Sequence, residues 1–248
     1  MRIQRINFFL LALLLFPPSF LLLAQNPEKH IVGGRKTGGF FSNFLMLLCQ
    51  LSWCEKNNKI PVVHWGQKQS LYYGGDGFTG ENVWEYYFEP LSSLTYQQID
   101  KIDNSYSQEF FFTAIAPEKR QKAYQLITKY IKIKSHVMQK VEDFYQLNMA
   151  GKKTIGIHLR GTDKEKEEDL VNPKKIVKAA LAIADSDTQF LIASDEQRLF
   201  DKMLDLLKGR KIIYYDCFRS DNGNPLHFRK PSPGQLGQDV LIEALLLS

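Results

Sequence analysis

Hydrophobic residues along this chain follow two alternating patterns, one typical of strands and one typical of helices. A short strand-like run at 29–32 precedes the glycine-rich stretch 33–39, and apolar positions in 41–57 then recur on one helical face. A second strand-like run, 59–65, follows that predicted helix. Because the order strand, turn, helix and strand is typical of a parallel βαβ unit, we predict such a unit here.

The second half of the chain repeats this alternation. Its predicted elements follow one another as strand 154–159, helix 173–184, strand 189–193, helix 196–208, strand 211–215 and a last helix from Gln235 onwards. We therefore predict a second α/β region. We divide the chain into an N-terminal α/β domain at 25–150 and a C-terminal α/β domain at 151–248.

The predicted α/β regions are separated by segments of a different character. Residues 66–115 are rich in aromatic residues, Gly, Ser and Asn without a clear period, and we interpret them as loops and short helices. Pro117 is a suitable first residue for a helix. The apolar spacing then continues to Asn148, with a predicted interruption near Lys134 and Ser135.

The first residues of the chain have the layout of an export signal. Arg2 and Arg5 precede an apolar stretch at 6–24, and polar residues follow Ala24. A single membrane anchor is the alternative, because the stretch approaches the roughly 20 residues that a bilayer requires. In both cases we expect the rest of the chain to be exported, either secreted or held in an envelope or endomembrane compartment.

The last residues predict an incomplete C-terminal domain. Residues 245–248 end an apolar helical run with neither a glycine cap nor a following strand. Because a parallel sheet of this kind normally continues with another strand, we expect the chain to be truncated.

Composition narrows the class of protein. Hydrophobic residues make up 44% and charged residues 24% of the chain, as in a folded globular protein. The formal net charge of +5 is small and no basic cluster is interleaved with aromatic residues, so we expect no nucleic-acid partner. Cys49, Cys54 and Cys217 form no C-x-x-C pair, so we expect buried thiols rather than a disulfide framework or a zinc site.

Polar residues gather at the end of the predicted strand 154–159. The sequence IGIHLRGTDK runs from this strand into His158, Arg160, Thr162, Asp163 and Lys164. Because ligands of open α/β sheets bind beyond the carboxyl ends of the strands, these side chains are candidates for an anion site. Arg160 has planar donors that suit phosphate oxygens, and Lys164 adds a second positive charge. The alternative is a solvated loop in which Arg160 pairs with nearby acids.

The segment HLRGTDK resembles a motif of known glycosyltransferases. It is similar to the His-x-Arg-Arg-Thr-Asp-Lys motif of the α-1,6-fucosyltransferase and nodulation fucosyltransferase group, which is related to the protein O-fucosyltransferases. The resemblance implies two Rossmann-like domains that face a cleft, GDP-fucose as donor, inversion at the anomeric carbon and no metal or other cofactor. It implies that Arg160 binds the diphosphate with His158 and Asp163 beside it. Gly161 stands where the motif has its second Arg.

Three further segments resemble this family in the expected order. LIASDEQRLF places Asp195 on the nucleotide side of the cleft, GQDVLIEALLLS places Glu243 near the guanine, and GGFFSNFLML makes Asn43 a cleft residue. Each also has an ordinary explanation. Ser194 is a suitable N-cap, Glu243 is compatible with a solvent-facing helix position, and Asn43 is compatible with an ordinary helix start.

The resemblance also implies a general base. In the family pattern an acid four residues after the Lys takes the proton of the acceptor hydroxyl, and that acid here is Glu168, with Lys164 helping to neutralise the leaving diphosphate. The alternative is that the charge run 165–168 is a solvated face.

Two other patterns are interpreted as ordinary turns. Asp185 and Asp187 have the Asp-x-Asp spacing of a manganese site, but they lie between a predicted helix and a predicted strand, so we expect a polar turn. The stretch 33–39 lacks the spacing of a phosphate-binding loop.

The hypothesis from the sequence is therefore transfer of fucose from GDP-fucose to a glycan or protein hydroxyl. Its partners are a nucleotide sugar and an acceptor. Transfer from a different nucleotide sugar is one alternative. A degenerate, secreted module that binds a sugar or nucleotide is another, favoured by Gly161 and by the abrupt end.

Overall fold

The computed structural model describes residues 28–36, 38–98, 116–162, 172–226 and 232–248. The predicted export signal or anchor lies outside these ranges. Within them, no helix combines the length and the apolar composition that crossing a bilayer requires.

The first half contains the predicted parallel βαβ unit. Strand β1 (Lys29–Gly33) pairs in parallel with β2 (Ile60–His64), and helix α1 (Phe40–Lys56) connects them. Val32 and Val63 are paired in register and lie in the same buried cluster as the apolar face of α1. The predicted boundaries are correct to within one residue, because the apolar face and the glycine-rich turn both mark where the helix begins.

The aromatic segment that follows β2 contributes several large side chains to the first core. It contains the short helix α2 (Trp84–Tyr87) and a 3₁₀ turn at Tyr96–Gln98, as predicted for loops and short helices. Its large side chains are buried together with Phe40 of α1. The indole N–H of Trp84 donates to the backbone carbonyl of Glu89 at 2.8 Å, which satisfies its polar atom inside the core.

Two helices follow, with the predicted interruption between them. They are α3 (Pro117–Tyr130) and α4 (Ser135–Asn148). The break occurs because the intervening backbone bonds to the aromatic segment, with Lys134 N–H donating to Tyr87 at 2.8 Å. The C-terminal end of α1 contacts α3 through Glu55, whose carboxylate accepts hydrogen bonds from Lys122 at 2.6 Å and Lys129 at 2.7 Å.

The second half contains a three-stranded parallel sheet in the order β3-β4-β5. Its elements in chain order are β3 (Thr154–Leu159), α5 (Pro173–Ile183), β4 (Gln189–Ser194), α6 (Gln197–Leu206), β5 (Ile212–Ile213) and α7 (Pro233–Leu246). Strand β5 is shorter than predicted, because the chain turns after Ile213 and the Tyr215 carbonyl accepts a hydrogen bond from Arg219 instead of continuing the ladder.

Helix α7 packs both halves of the chain into one core. Leu241, Ile242 and Leu246 share a buried cluster with α1, the aromatic segment and one face of the second sheet. The other face of that sheet forms a separate cluster with α5 and α6. At the start of α7 the absence of a Cβ at Gly237 lets the Tyr87 ring approach the helix, and the Tyr87 hydroxyl donates to the Gly234 carbonyl at 2.8 Å. The division into domains at residue 150 stays a prediction.

Candidate functional site

The carboxyl ends of β3 and β4 lie side by side. Leu159 at the end of β3 is paired in register with Ser194 at the end of β4, so Arg160 and Asp195 leave the sheet at the same edge. This is the edge at which open α/β sheets bind their ligands. The structure therefore brings together two residues that are 35 positions apart in the sequence, in the place where the sequence predicted an anion site.

Asp195 holds the turn that follows Arg160. One carboxylate oxygen accepts the backbone N–H of Gly161 at 2.8 Å, and the other accepts the Thr162 hydroxyl at 2.8 Å. Hydrogen bonds to a charged group contribute roughly 1.5–3 kcal/mol each. Both oxygens of Asp195 are therefore engaged in fixing the turn, and the backbone beside Arg160 is held in one conformation.

Gly161 is packed against the start of α6. A Cβ atom at this position would collide with the Glu196 carboxylate and would lie 2.6 Å from Leu199 Cδ1. Glu196 is only 2% exposed, and its other oxygen accepts a hydrogen bond from Arg198 Nε at 3.0 Å. With Glu196 and Leu199 in these positions a side chain at residue 161, such as the second Arg of the fucosyltransferase motif, does not fit.

Arg160 and His158 lie on the open side of this edge. Both side chains are exposed to solvent. The pKa of His158 is lowered, chiefly because surrounding protein atoms partly desolvate the imidazole. The charge of Asp195 raises this pKa, and the charge of Arg160 lowers it. The three side chains are thus close enough to interact electrostatically. With a lowered pKa, His158 is neutral at pH 7 and leaves the positive charge at this edge to Arg160.

Ser194 does not take the N-cap position that its ordinary explanation required. The residue at the N-cap of α6 is Glu196. The Ser194 hydroxyl instead accepts the Glu196 backbone N–H at 3.3 Å and donates to its carbonyl at 3.2 Å. The hydroxyl therefore shapes the turn between β4 and α6.

Glu243 lies inside the protein, so the solvent-facing interpretation of this residue is wrong. Its side chain is 16% exposed, and the Cys217 thiol donates to its Oε1 at 3.3 Å. Burial is the largest cause that raises the pKa of Glu243 to about 7; Cys217 and Arg219 lower it, and Asp239 and Asp195 raise it. The effect of Asp195 links α7 electrostatically to the β4 edge. Asp195 thus raises the pKa of both His158 and Glu243.

Arg219 is a functional candidate that the sequence did not reveal. Its guanidinium lies 4.0 Å from the centre of the Phe200 ring and donates to the carbonyl of Tyr215 at 3.0 Å and of Cys217 at 3.2 Å. Its side chain is 5% exposed and lies 3.9 Å from Glu243. No sequence motif marks this residue, because its partners come from α6, from α7 and from its own loop.

Asn43 holds the glycine-rich turn of the first half. Its side-chain oxygen accepts the Arg35 N–H at 2.9 Å, and its amide donates to the carbonyls of Arg35 at 3.2 Å and Gly38 at 3.4 Å. The residue is 1% exposed. These contacts fit a residue that shapes the turn, and none of them joins Asn43 to Arg160 or Asp195.

Three predicted site residues lie outside the described residues. They are Asp163, Lys164 and Glu168, and their roles stay predictions. In the part of the chain that the structure describes, no three His, Cys, Asp or Glu side chains are grouped as metal ligands.

The polar-turn interpretation of the Asp-x-Asp pattern fits the structure. The Asp185 carboxylate accepts hydrogen bonds from Lys153 Nζ at 2.6 Å and from the Thr188 hydroxyl at 2.5 Å, and these contacts lower its pKa to about 2. Cys49 and Cys54 are buried and Cys217 is half-buried, and all three are thiols, as expected.

Comparison with known proteins supports the fold. No family model and no curated protein sequence matches the chain. Among solved structures, the fucosyltransferase NodZ from Bradyrhizobium is 15% identical with a TM-score of 0.57, and the match covers 89% of this chain and 86% of NodZ. The NodZ α-1,6-fucosyltransferase soaked with GDP-fucose is 15% identical with a TM-score of 0.56, over 88% of this chain and 85% of that one.

The NodZ structure co-crystallised with GDP gives a similar match. It is 15% identical to this chain with a TM-score of 0.55, over 89% of this chain and 85% of that one. At these identities the comparison concerns the fold. The chain is a mixed α/β protein with parallel sheets, and its fold is similar to that of these fucosyltransferase structures, as the resemblance of HLRGTDK predicted.

Proposed function

We propose that this protein is a glycosyltransferase that transfers fucose from GDP-fucose to a hydroxyl of a glycan or protein, without a metal and with inversion. The observation that carries the proposal is Arg160, exposed at the carboxyl edge of β3 and β4 on a turn that Asp195 holds in place. A guanidinium beside such a turn suits the binding of a diphosphate, because its planar donors match the geometry of phosphate oxygens.

The chemistry follows from the charges at this edge. The acceptor oxygen forms a bond to the anomeric carbon while the bond from that carbon to the β-phosphate oxygen breaks, and GDP leaves with added negative charge. Arg160 and Lys164 neutralise that charge as it develops, which is the kind of stabilisation that lowers a barrier most. Glu168 takes the proton of the acceptor hydroxyl.

The remaining predicted residues hold the nucleotide. His158 and Asp163 flank the diphosphate, and Glu243 accepts hydrogen bonds from the guanine N–H groups. The contacts of Asp195 and Asn43 favour indirect roles, in which Asp195 holds the turn after Arg160 and Asn43 holds the glycine-rich turn of the first half. We further propose that the protein acts after export from the cytoplasm.

A second candidate function is binding without transfer. Gly161 favours it, since the closed space at this position excludes the second cation of the family motif. Such a protein would bind GDP-fucose at the same edge and would release it unchanged.

A titration with matched variants tests the proposal. Wild type, Arg160→Ala and the distant control Arg120→Ala are titrated calorimetrically with GDP and GDP-fucose, and each is then incubated with GDP-fucose and glycan or peptide acceptors. We expect Arg160→Ala to weaken GDP binding at least about tenfold, since its charged hydrogen bonds contribute roughly 1.5–3 kcal/mol each, while Arg120→Ala behaves as wild type.

The outcomes separate the candidates. Formation of a fucosylated product by wild type supports the transferase. Binding that depends on Arg160 with neither transfer nor hydrolysis supports the binding module. Tighter binding of another nucleotide sugar than of GDP-fucose identifies a different donor, and equal GDP binding by wild type and Arg160→Ala contradicts the proposed site.

A further inference from the structure

A buried group of charges surrounds Glu243 at the inner face of α7. Arg219 approaches from the loop after β5, with its guanidinium 3.9 Å from Glu243 Oε1 and only 5% of its side chain exposed. Two backbone carbonyls and the Phe200 ring fix its position, and its Nε has no hydrogen-bond partner among the described residues. Burying a cation is costly unless an opposite charge compensates it, so this placement indicates a carboxylate at Glu243.

Cys217 connects Arg219 to Glu243. Its thiol donates to Glu243 Oε1 at 3.3 Å, and its backbone carbonyl accepts from Arg219 at 3.2 Å. Burial raises the pKa of this thiol, so it stays protonated at neutral pH and acts as a donor to the carboxylate. Arg219 and Cys217 therefore both favour the ionised form of Glu243.

The other groups around Glu243 favour its protonated form. Asp239 lies one turn earlier on α7, and Asp195 acts from the end of β4. Asp239 is itself affected by Lys140 of α4, by Asp216 and by Arg219. Burial of the carboxyl group is the largest cause that raises the pKa of Glu243, and together with these opposing groups it places that pKa at about 7.

We propose that Arg219 and Cys217 are positioning residues that keep Glu243 ionised, so that its carboxylate accepts hydrogen bonds from N–H groups on the base of the donor nucleotide. This inference rests on the proposed function, because it concerns how the same site recognises the donor. A protonated Glu243 has one acceptor oxygen fewer and presents an O–H towards the base N–H groups, which weakens binding.

The pH dependence of GDP binding tests this inference. Calorimetric titrations between pH 5.5 and 8.5 compare wild type with Glu243→Gln, in which only the phosphates of GDP and groups other than residue 243 still titrate. Relative to that variant, we expect wild-type affinity to rise about tenfold from pH 6 to pH 8, because the ionised fraction of a group with a pKa of about 7 rises by that factor.

Two substitutions at Cys217 should move the midpoint of the pH dependence of GDP binding in opposite directions. Cys217→Ala removes a donor to the carboxylate, so the midpoint moves to higher pH. Cys217→Ser supplies a stronger donor, so the midpoint moves to lower pH. Arg219→Met removes the positive charge beside Glu243, so the midpoint moves to higher pH. Arg219→Lys retains that charge, so its midpoint should lie close to that of wild type. The Cys217 pair keeps the test decisive where a buried Arg219 variant fails to fold.

The failure of this inference differs from the failure of the proposed function. A wild-type curve parallel to that of Glu243→Gln, or unchanged midpoints in both Cys217 variants, overturns the positioning role while GDP binding through Arg160 stands. Absence of GDP binding, or binding indifferent to Arg160→Ala, overturns the proposed function and this inference with it.

Discussion

The Asp195 carboxylate accepts the backbone N–H of Gly161 at 2.8 Å, and this bond joins the ends of two neighbouring strands. Its second oxygen takes the Thr162 hydroxyl at the same distance of 2.8 Å. Arg160 therefore precedes a turn that is fixed from the adjacent strand. The proposed function therefore gives Asp195 an indirect role, in which it holds the turn beside Arg160.

Loosening this turn should weaken GDP binding without removing a phosphate ligand. Asp195→Asn retains the size of the side chain but loses its charge and one acceptor, and we expect the Kd for GDP to rise about tenfold or more. Thr162→Val should give a smaller rise, and Thr162→Ser should bind as wild type. Calorimetric titration measures these values, with the exposed Asp187→Asn as control. Unchanged GDP affinity in Asp195→Asn would contradict the role of this bond.

Gly161 should tolerate no side chain while Glu196 is in place. Gly161→Ala forces a Cβ into the Glu196 carboxylate and towards Leu199, and overpacking of this kind costs about 1–3 kcal/mol. Urea denaturation measures the free energy of unfolding. At Gly33 no heavy atom lies within 4 Å of the Cβ position, so Gly33→Ala is the matched control and should be nearly neutral. Equal effects of the two substitutions would refute the steric account.

The contact between α7 and the aromatic segment reverses the usual effect of Gly→Ala in a helix. Alanine is favoured over glycine in helices by about 1 kcal/mol, yet a Cβ at Gly237 would collide with the Tyr87 hydroxyl and lie 2.8 Å from Tyr87 Cζ. We expect Gly237→Ala to lower the free energy of unfolding. Tyr87→Phe also lowers it, and the double variant should lose less than the sum of the two, as a double-mutant cycle by urea denaturation would measure. Additive effects would show that the two positions are not in contact.

Stability should depend on the proton of Glu243. Its pKa is raised from 4.5 to about 7 in the folded protein, chiefly by burial, so the folded state binds more protons than the unfolded state between these values. The free energy of unfolding of wild type therefore falls as pH rises through this window, by up to roughly 3 kcal/mol, and levels off above pH 7. Glu243→Gln should remove that fall, whereas the exposed control Glu142→Gln should retain it. Parallel curves for wild type and Glu243→Gln would exclude a raised pKa.

Local sequence patterns were sufficient for the elements and for the edge that carries the site. The apolar run 154–159 and the polar residues after it predicted both β3 and the position of Arg160, because strand ends are marked by a change from apolar to polar residues. The end of β4 followed in the same way. The register of these two strands then brings Arg160 and Asp195 together without further information.

Contacts between distant segments were beyond the reach of those patterns. Arg219 became a candidate only when α6 and α7 placed Phe200 and Glu243 around it. Asn43 looked like a ligand residue, although its polar atoms bond to the turn that precedes it. In both cases the role depends on which groups of distant or neighbouring residues are nearby in space, and hydrophobic periodicity contains no such information.

The proposed function requires Arg160 to bind the diphosphate of a guanine nucleotide at the carboxyl edge of β3 and β4. A crystal structure of the protein with bound GDP measures this directly. We expect the β-phosphate to lie within hydrogen-bonding distance of the Arg160 guanidinium and the guanine to lie on the side of α7. A diphosphate bound elsewhere, with the Arg160 side chain turned away from it, would contradict the account.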